Sequence, residues 1–363
     1  MIARWVALAA LPAALAALPA ALAAQPALAA PASSCAPKNL PSMTWWNGVW
    51  GAEGLEGDVA GSVRNQSKFT GADAPWNAQG WKRMRQLAAF NRSHSLRIAA
   101  AWGMPMMMNS FSEVEFIVAP SMTVMTSQYR DIRYIYTDGR KHPSPDVLWV
   151  NNWGDSIGCW KGDTLEIDTV GVKFDPVFNY FAAPLSDDAH ITERLRAVSK
   201  DRIEGEMTIT DPATLAAPWV IKFAFVPAGI DRMVHEGDTL IDREKPEGNA
   251  ATIEPPDVDP LSKIAVPPEV ALGAAQLDRL AGHYALEPAG QQLIVERHGD
   301  RLFYRQQPGP VAGRVLFADA PLSFSGLNGE TFHFQTDASG QVTGIDGVGP
   351  FGGQPIKARR VAS

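Results

Sequence analysis

From residue 111 onward, apolar and polar residues alternate with a period of two, and this alternation limits the possible folds more than any other feature of the chain. Successive side chains of a β-strand point to opposite faces, so such alternation is typical of strands with one buried face. β-Branched and aromatic residues, which favour strands, dominate these runs. Strands are predicted over residues 114–118, 122–126, 132–136, 190–198, 203–210 and 220–226, and nearer the C-terminus over 292–296, 302–305, 314–317 and 331–335.

Turn signals between these runs predict antiparallel pairing. Asp138-Gly139 directly follows the third run and is typical of a two-residue hairpin. The fragment Gly-Asp-x-Leu occurs at residues 162–165, 237–240 and 299–302, each time before alternating apolar positions, as at a tight turn that enters a strand. Short strands separated by such turns favour an antiparallel barrel or sandwich, so the predicted fold class is mainly β.

The chain divides into segments of different composition. Residues 31–110 are predicted to be irregular, with one helix over 76–90, where apolar residues recur at helical spacing. Residues 111–245 form the predicted main β-domain. Residues 246–273 are acidic and Pro-rich, which is typical of a stiff linker. A smaller β-domain is predicted over residues 274–363.

The first 30 residues predict an export signal, because Arg4 precedes a long Ala/Leu run with Ala-rich cleavage sites. The alternative is a transmembrane anchor, which Pro12, Pro19 and Pro26 disfavour since they interrupt the run. We therefore expect a periplasmic or secreted protein without stable membrane insertion.

Composition excludes two further classes of protein. Hydrophobic residues make up 46% of the chain and charged residues 20%, which excludes a wholly disordered protein. The 32 Lys and Arg against 39 Asp and Glu give a net charge of −7 without a basic stripe. Nucleic acid is therefore not an expected partner.

Two cysteines, Cys35 and Cys159, follow the predicted signal. In an oxidising compartment an even pair of cysteines suggests a disulfide. Lipidation of Cys35 is disfavoured, because a bacterial lipobox usually has Leu where this chain has Ala32. Two free thiols are the remaining alternative, and the sequence leaves the choice open.

Four short motifs are YTDGRKHP at 136–143, GDSIGCWKGDTLEIDTVG at 154–171, HITERL at 190–195 and DPATLAAPW at 211–219. Together they resemble an uncharacterised family of exported proteins from environmental bacteria, with the pattern YTDGRxHP, GHSIGxWEGDTLxxDTVG, HxxERF and DPxxYxxPW. The resemblance covers residues 103–235 and implies export without implying an activity. Two positions differ, since Asp155 replaces the usual His and Cys159 a frequent Arg.

The C-terminal segment carries a second resemblance. LDRLAGHY at 277–284 and VERHGDRLF at 295–303 are similar to the sequence of a small lipocalin-like β-domain. Such domains are often appended to exported hydrolases, so the resemblance implies an accessory β-module without a catalytic motif.

Glu193 is the first candidate for a functional residue. Alternation along its strand places Ile191, Glu193 and Leu195 on the same, inward face. An ionised carboxylate is costly there unless it is paired. Glu193 is therefore either structural, held by an Arg such as Arg133 or Arg140, or a functional acid that burial keeps protonated.

Turn chemistry explains most of residues 136–143 but leaves His142 unexplained. A His near Tyr136 and Arg140 could provide, together with them, a base, a proton donor and an anion clamp. The alternative is a plain turn in which Arg140 pairs with a carboxylate. The predicted catalytic residues are His142, Glu193, Tyr136 and Arg140.

No metal-binding residues are predicted, because no two of the seven His residues lie at helical ligand spacing. A haem or mononuclear metal held across strands by His142 or His190 remains an alternative, so the cofactor is unknown.

The Met-rich run at residues 103–108 is typical of an adaptable core, although such runs sometimes line pockets or bind copper(I).

The leading prediction is an exported protein that holds a small lipophilic or aromatic molecule in a cavity of the first β-domain. The alternative is a periplasmic or secreted hydrolase or lyase that acts on such a molecule by acid–base chemistry, with or without haem or a metal. A structural factor of the cell envelope is a third class. The residues predicted to line the cavity are Met104, Met106, Tyr134 and Trp149.

Overall fold

The computed structural model describes residues 35–37, 46–53, 71, 74–93, 102–109, 113–128, 131–175, 183–233, 259–287, 291–307, 313–350 and 353–361. The predicted export signal, the Gly-Asp-x-Leu fragment at 237–240 and the first half of the Pro-rich segment lie outside the described residues. The described residues form a mainly β protein with two closed barrels. Among them, no helix is long and apolar enough to cross a membrane.

The first barrel has nine strands, which are neighbours in chain order. β1 pairs antiparallel with both β2 and β9, and this pairing closes the barrel. The strands are β1 Gly48–Ala52, β2 Val114–Val118, β3 Met122–Ser127, β4 Ile132–Tyr136, β5 Asp155–Lys161, β6 Thr164–Val170, β7 His190–Ser199, β8 Arg202–Thr210 and β9 Trp219–Pro227.

The pairing of β4 with β5 is parallel, which corrects the hairpin predicted at Asp138-Gly139. A parallel neighbour must start at the same end of the sheet, so residues 137–154 cross back before β5 begins. The Gly-Asp pairs at residues 162–163 and 299–300, in contrast, form two-residue turns between antiparallel strands, as predicted.

The closing strand β1 lies outside the bounds predicted for the main β-domain. It comes from the section that was expected to be irregular, and it covers the edges of β2 and β9. An isolated five-residue strand gives a weak sequence signal. It is stabilised by pairing with the edges of strands that are distant in the chain, and that pairing leaves no local pattern.

The predicted helix over 76–90 is observed as α1, Ala78–Ser93. Its Arg83 forms an ion pair with Asp259, and its Gln86 donates a hydrogen bond to the Ile264 carbonyl (3.0 Å). Leu261 is fully buried in the same hydrophobic core. The later part of the predicted linker is therefore packed against α1.

The second barrel has eight antiparallel strands in chain order and is closed by β10 and β17. The short helix α2, Ala274–Leu280, buries Leu277 and Leu280 in the core of this barrel. The strands are β10 Gly282–Leu286, β11 Gln292–His298, β12 Arg301–Gln307, β13 Arg314–Ala320, β14 Ser323–Gly326, β15 Thr331–Thr336, β16 Val342–Val348 and β17 Pro355–Val361.

Candidate functional site

Glu193 lies inside the first barrel, on the inward face that alternation predicts for β7. Its partner is Arg133 of β4, one of the two arginines that the sequence offered. Arg133 Nη1 donates to Glu193 Oε1 (3.2 Å), and Nη2 donates to Oε2. Both carboxylate oxygens therefore accept a hydrogen bond from the same guanidinium group.

The other donors of Arg133 are also occupied. Its Nε donates to Ser156 Oγ (3.0 Å), and its Nη2 donates to Thr169 Oγ1 (2.8 Å). Nη1 also lies 3.5 Å from the Met108 sulfur. Because all five N–H groups of the guanidinium have an acceptor, this inner network is saturated, and its geometry is that of a structural ion pair.

Arg140 is directed elsewhere, to its own loop. Its Nε lies 3.0 Å from both oxygens of Asp138, and its guanidinium lies over the Tyr136 ring, 3.8 Å from the centroid. These hydrogen bonds hold the pKa of the Asp138 carboxyl below its ordinary value. Glu193 thus makes its contacts inside the barrel, whereas Arg140 makes its contacts on the outside. The four predicted catalytic residues therefore do not form one cluster.

His142 lies on the outer face, in a chain of four titratable side chains that we call the outer His–Asp chain: Asp155, His142, Asp168 and His190. His142 Nδ1 lies 2.5 Å from Asp155 Oδ1, and its Nε2 lies 2.8 Å from Asp168 Oδ1. His190 Nε2 lies 3.0 Å from each oxygen of Asp168. The side chain of His142 is 20% exposed and that of His190 is 45% exposed.

Three neighbouring strands and one loop bring this chain together. Asp155 begins β5, Asp168 lies near the end of β6 and His190 begins β7. The antiparallel register places Asp155 opposite Val170, and Asp168 opposite Thr192, so these ends meet on one side of the barrel. Gly154 permits the close approach of β5 to β6, because a Cβ there would lie 2.7 Å from the Val170 carbonyl oxygen.

A groove of about 480 Å³ lies beside the outer His–Asp chain, on the outer face of β5 to β8. Asp168 belongs to both the chain and the groove lining. Cys35 and Cys159 form a disulfide that lines the groove, which answers the question that the sequence left open. Other lining residues are Arg140, Ile157, Glu166, Thr192, Arg194, Glu206 and Thr208.

The four residues predicted to line an apolar cavity are divided between the inside and the outside of the protein. Met104 and Met106 are buried in the core, whereas Tyr134 is 49% and Trp149 83% exposed. On β4, Tyr134 alternates with the inward Arg133, so its side chain must point outward. The prediction of one shared cavity is therefore wrong, and the Met-rich run fills the core.

The sequence left open a metal held by His142 or His190, and both side chains belong to the described residues. Among those residues, no group of three or more His, Cys, Asp or Glu side chains is arranged to hold a metal ion. In the outer His–Asp chain the His and Asp side chains contact one another through hydrogen bonds instead.

No protein-family model matches the chain, and no curated protein matches it significantly. Among solved structures, it is similar to a protein of unknown function of the DUF3598 family from Nostoc punctiforme. That match has 10% identity and a TM-score of 0.17, and covers 69% of this chain and 88% of the other. A similarity at this level carries no inference about function.

Sequence reasoning found His142 but missed its partners. Asp168 was given no role, and Asp155 was noted only as a departure from a family pattern. The available signal was that Asp155, Asp168 and His190 all occupy positions on the outward faces of their strands, within two of the other motifs that carry the family resemblance.

Proposed function

We propose that this chain is an exported protein that binds a small organic molecule in the groove on the outer face of the first barrel. The observation that carries the proposal is the groove itself, which has room for a small ligand and has the half-exposed Asp168 in its lining. The proposal keeps the class of function that the sequence predicts but moves the ligand from the barrel interior to its outer face.

The lining of the groove indicates the chemistry of the ligand. Ile157 and the disulfide provide apolar surface, while Thr192 and Thr208 provide hydroxyl groups. Arg140 and Arg194 offer guanidinium donors, which suit a carbonyl or carboxylate group. Glu166 and Glu206 have lysine partners, Lys161 and Lys222, that balance their charge. We therefore expect a ligand with an apolar or aromatic body and a carbonyl or carboxylate group.

Two observations support export. Disulfides persist mainly in oxidising compartments, and Cys35–Cys159 is such a bond. Residues of three family-like motifs also meet at one place, namely His142, Asp168 and His190, although Asp155 beside them departs from the family pattern. Membership of the family of exported bacterial proteins is part of the proposal.

Titration calorimetry of the full chain with benzoate, methyl benzoate and larger aromatic carboxylates tests the proposal. The variant Thr192→Trp fills the groove from an exposed position on β7 and should weaken binding by about tenfold or more, or 1.4 kcal/mol. Thr343→Trp is the matched control, because it makes the same change at an exposed strand position of the second barrel.

Binding that Thr192→Trp leaves unchanged would place the ligand outside the groove. Mass spectrometry of an organic extract of the purified protein adds an independent observation. A retained lipid that survives in the Thr192→Trp variant would favour the barrel interior and contradict the proposal.

A further inference from the structure

We propose that His190 is a general base that activates water for attack on an ester held in the groove. The inference rests on the proposed function, because it takes the groove as the place where the ester binds. It adds a chemical step that binding alone does not require, and it assigns a role to each member of the outer His–Asp chain.

The contact with Asp168 determines which nitrogen of His190 is basic. Nε2 lies 3.0 Å from both carboxylate oxygens, and an ionised carboxylate only accepts hydrogen bonds. Nε2 must therefore carry the hydrogen, so in the neutral ring the lone pair is on Nδ1. A carboxylate that fixes the tautomer and orientation of a base in this way is the arrangement used in hydrolytic Ser-His-Asp sites.

The other two residues hold Asp168 in place. His142 Nε2 lies 2.8 Å from the same Oδ1 of Asp168, and its Nδ1 lies 2.5 Å from Asp155. The His142 ring thus lies between the two carboxylates and holds the Asp168 side chain in its position beside His190. His142 and Asp155 are therefore positioning residues, not groups that touch the ester.

His190 is the accessible member of the two histidines, with 45% of its side chain exposed against 20% for His142. Asp168 lines the groove, so His190 lies one hydrogen bond away from a lining residue. Arg140 and Arg194 also line it. Their positive charge suits the negative charge that develops on a carbonyl oxygen under attack.

The proposed step is balanced by water and the ester alone. His190 Nδ1 takes a proton from water while the water oxygen forms a bond to the carbonyl carbon. The bond from that carbon to the alcohol oxygen then breaks, and the proton on His190 passes to the leaving oxygen. The products are a carboxylic acid and an alcohol, and His190 returns to its neutral form.

Carbethoxylation with diethyl pyrocarbonate, mapped by peptide mass spectrometry, measures the basicity and access of each His without any substrate. His190 should react faster than His298, which is the matched control because it is 63% exposed and its carboxylate partner Glu296 is 3.7 Å away. Asp168→Asn should slow the reaction at His190 and leave His298 unchanged. Equal rates at His190 and His298 would overturn the assignment of the base.

Hydrolysis of p-nitrophenyl acetate by the full chain tests the activity. His190→Gln should lower kcat/KM by about 100-fold, a typical contribution of a general base. His142→Gln should lower kcat with little change in KM, and His298→Gln should change neither. Hydrolysis unaffected by His190→Gln overturns the proposal.

The groove has its own readout in the same assay. Thr192→Trp should raise KM, because the larger side chain fills the groove. If Thr192→Trp leaves KM unchanged and His190→Gln still abolishes hydrolysis, the groove is not the binding site. The KM of Thr192→Trp thus tests the groove as the binding site, and hydrolysis by His190→Gln separately tests His190 as the general base.

Discussion

The inner Arg133–Glu193 network and the outer His–Asp chain share three strands, β5 to β7, but lie on opposite faces of them, and their carboxylates have different surroundings. Inside, both oxygens of Glu193 accept hydrogen bonds from Arg133. The remaining N–H groups of Arg133 donate to other buried side chains. Outside, Asp168 is shared between two histidines and is 40% exposed. The inner carboxylate is fully buried, whereas the outer one borders a groove.

The difference shows that burial alone does not identify a functional acid. Glu193 attracted attention because an acid on an apolar strand face is unusual, yet the structure pairs both of its oxygens with Arg133. Asp168 was not singled out, because outward acids are common on strands. The exposed acid with partners that can move protons is the stronger candidate for chemistry.

The largest effect is expected for Glu193→Gln, which leaves Arg133 buried without a counter-ion. We expect the free energy of unfolding to fall by about 3–5 kcal/mol, measured by urea denaturation. Glu204→Gln, at an exposed position of the adjacent β8, is the control and should cost about 1 kcal/mol or less. A loss below about 1 kcal/mol for Glu193→Gln would contradict the structural role of the inner network.

Replacing both partners of the inner network sharpens the same test. The double variant Arg133→Met with Glu193→Met should recover much of the lost stability, because neither charge is left unpaired. Failure to recover would show that the hydrogen bonds to Ser156 and Thr169 contribute more than the ion pair.

Met106→Ala and Trp149→Ala compare two residues that the sequence assigned to the same cavity. Met106 is fully buried, so its truncation should cost about 2–5 kcal/mol through a cavity in the core. Trp149 is 83% exposed, and its truncation should change stability by about 0.5 kcal/mol or less. Thermal unfolding of both variants measures the contrast, and equal losses would refute the division between core and surface.

The outer chain should contribute little to stability. Asp168→Asn or His142→Gln should each lower the free energy of unfolding by about 1 kcal/mol or less, since partly exposed charge pairs are screened by solvent. Urea denaturation in the same buffer as for Glu193→Gln gives the comparison. A loss as large as that of Glu193→Gln would mean that the outer chain is part of the structural framework.

Asp131 provides a smaller test that depends on pH. This buried acid accepts hydrogen bonds from neutral donors, including the Trp102 and Gly103 amides, and burial raises its pKa above 3.8. Its protonated form is thus favoured by folding, so its contribution to stability is full below pH 3.8 and is lost as the pH rises through the folded-state pKa. The stability of the unaltered chain relative to Asp131→Asn should therefore decrease with rising pH from about 4 upward. A difference independent of pH would contradict the raised pKa.

Much of the local structure was predictable. The first three predicted strands agree closely with β2, β3 and β4, and the inward face of β7 was assigned correctly, with Arg133 among the proposed partners of Glu193. These inferences succeed because alternation reports the two faces of a strand directly. The outer His–Asp chain was not predictable in the same way, because its four residues come from three strands and a loop.

Alternation and turn residues were enough to establish a mainly β protein, most of its strands, and the positions that face inward or outward. They act within a few residues, through side-chain direction and backbone conformation. The tertiary structure alone decided that β1 closes the first barrel and that β5 runs parallel to β4. The parallel pairing returns residues 137–154 across the barrel and brings His142 to Asp155 and Asp168. Such pairings are selected by the burial and hydrogen bonding of the whole barrel, and no local pattern encodes which distant strand becomes a neighbour.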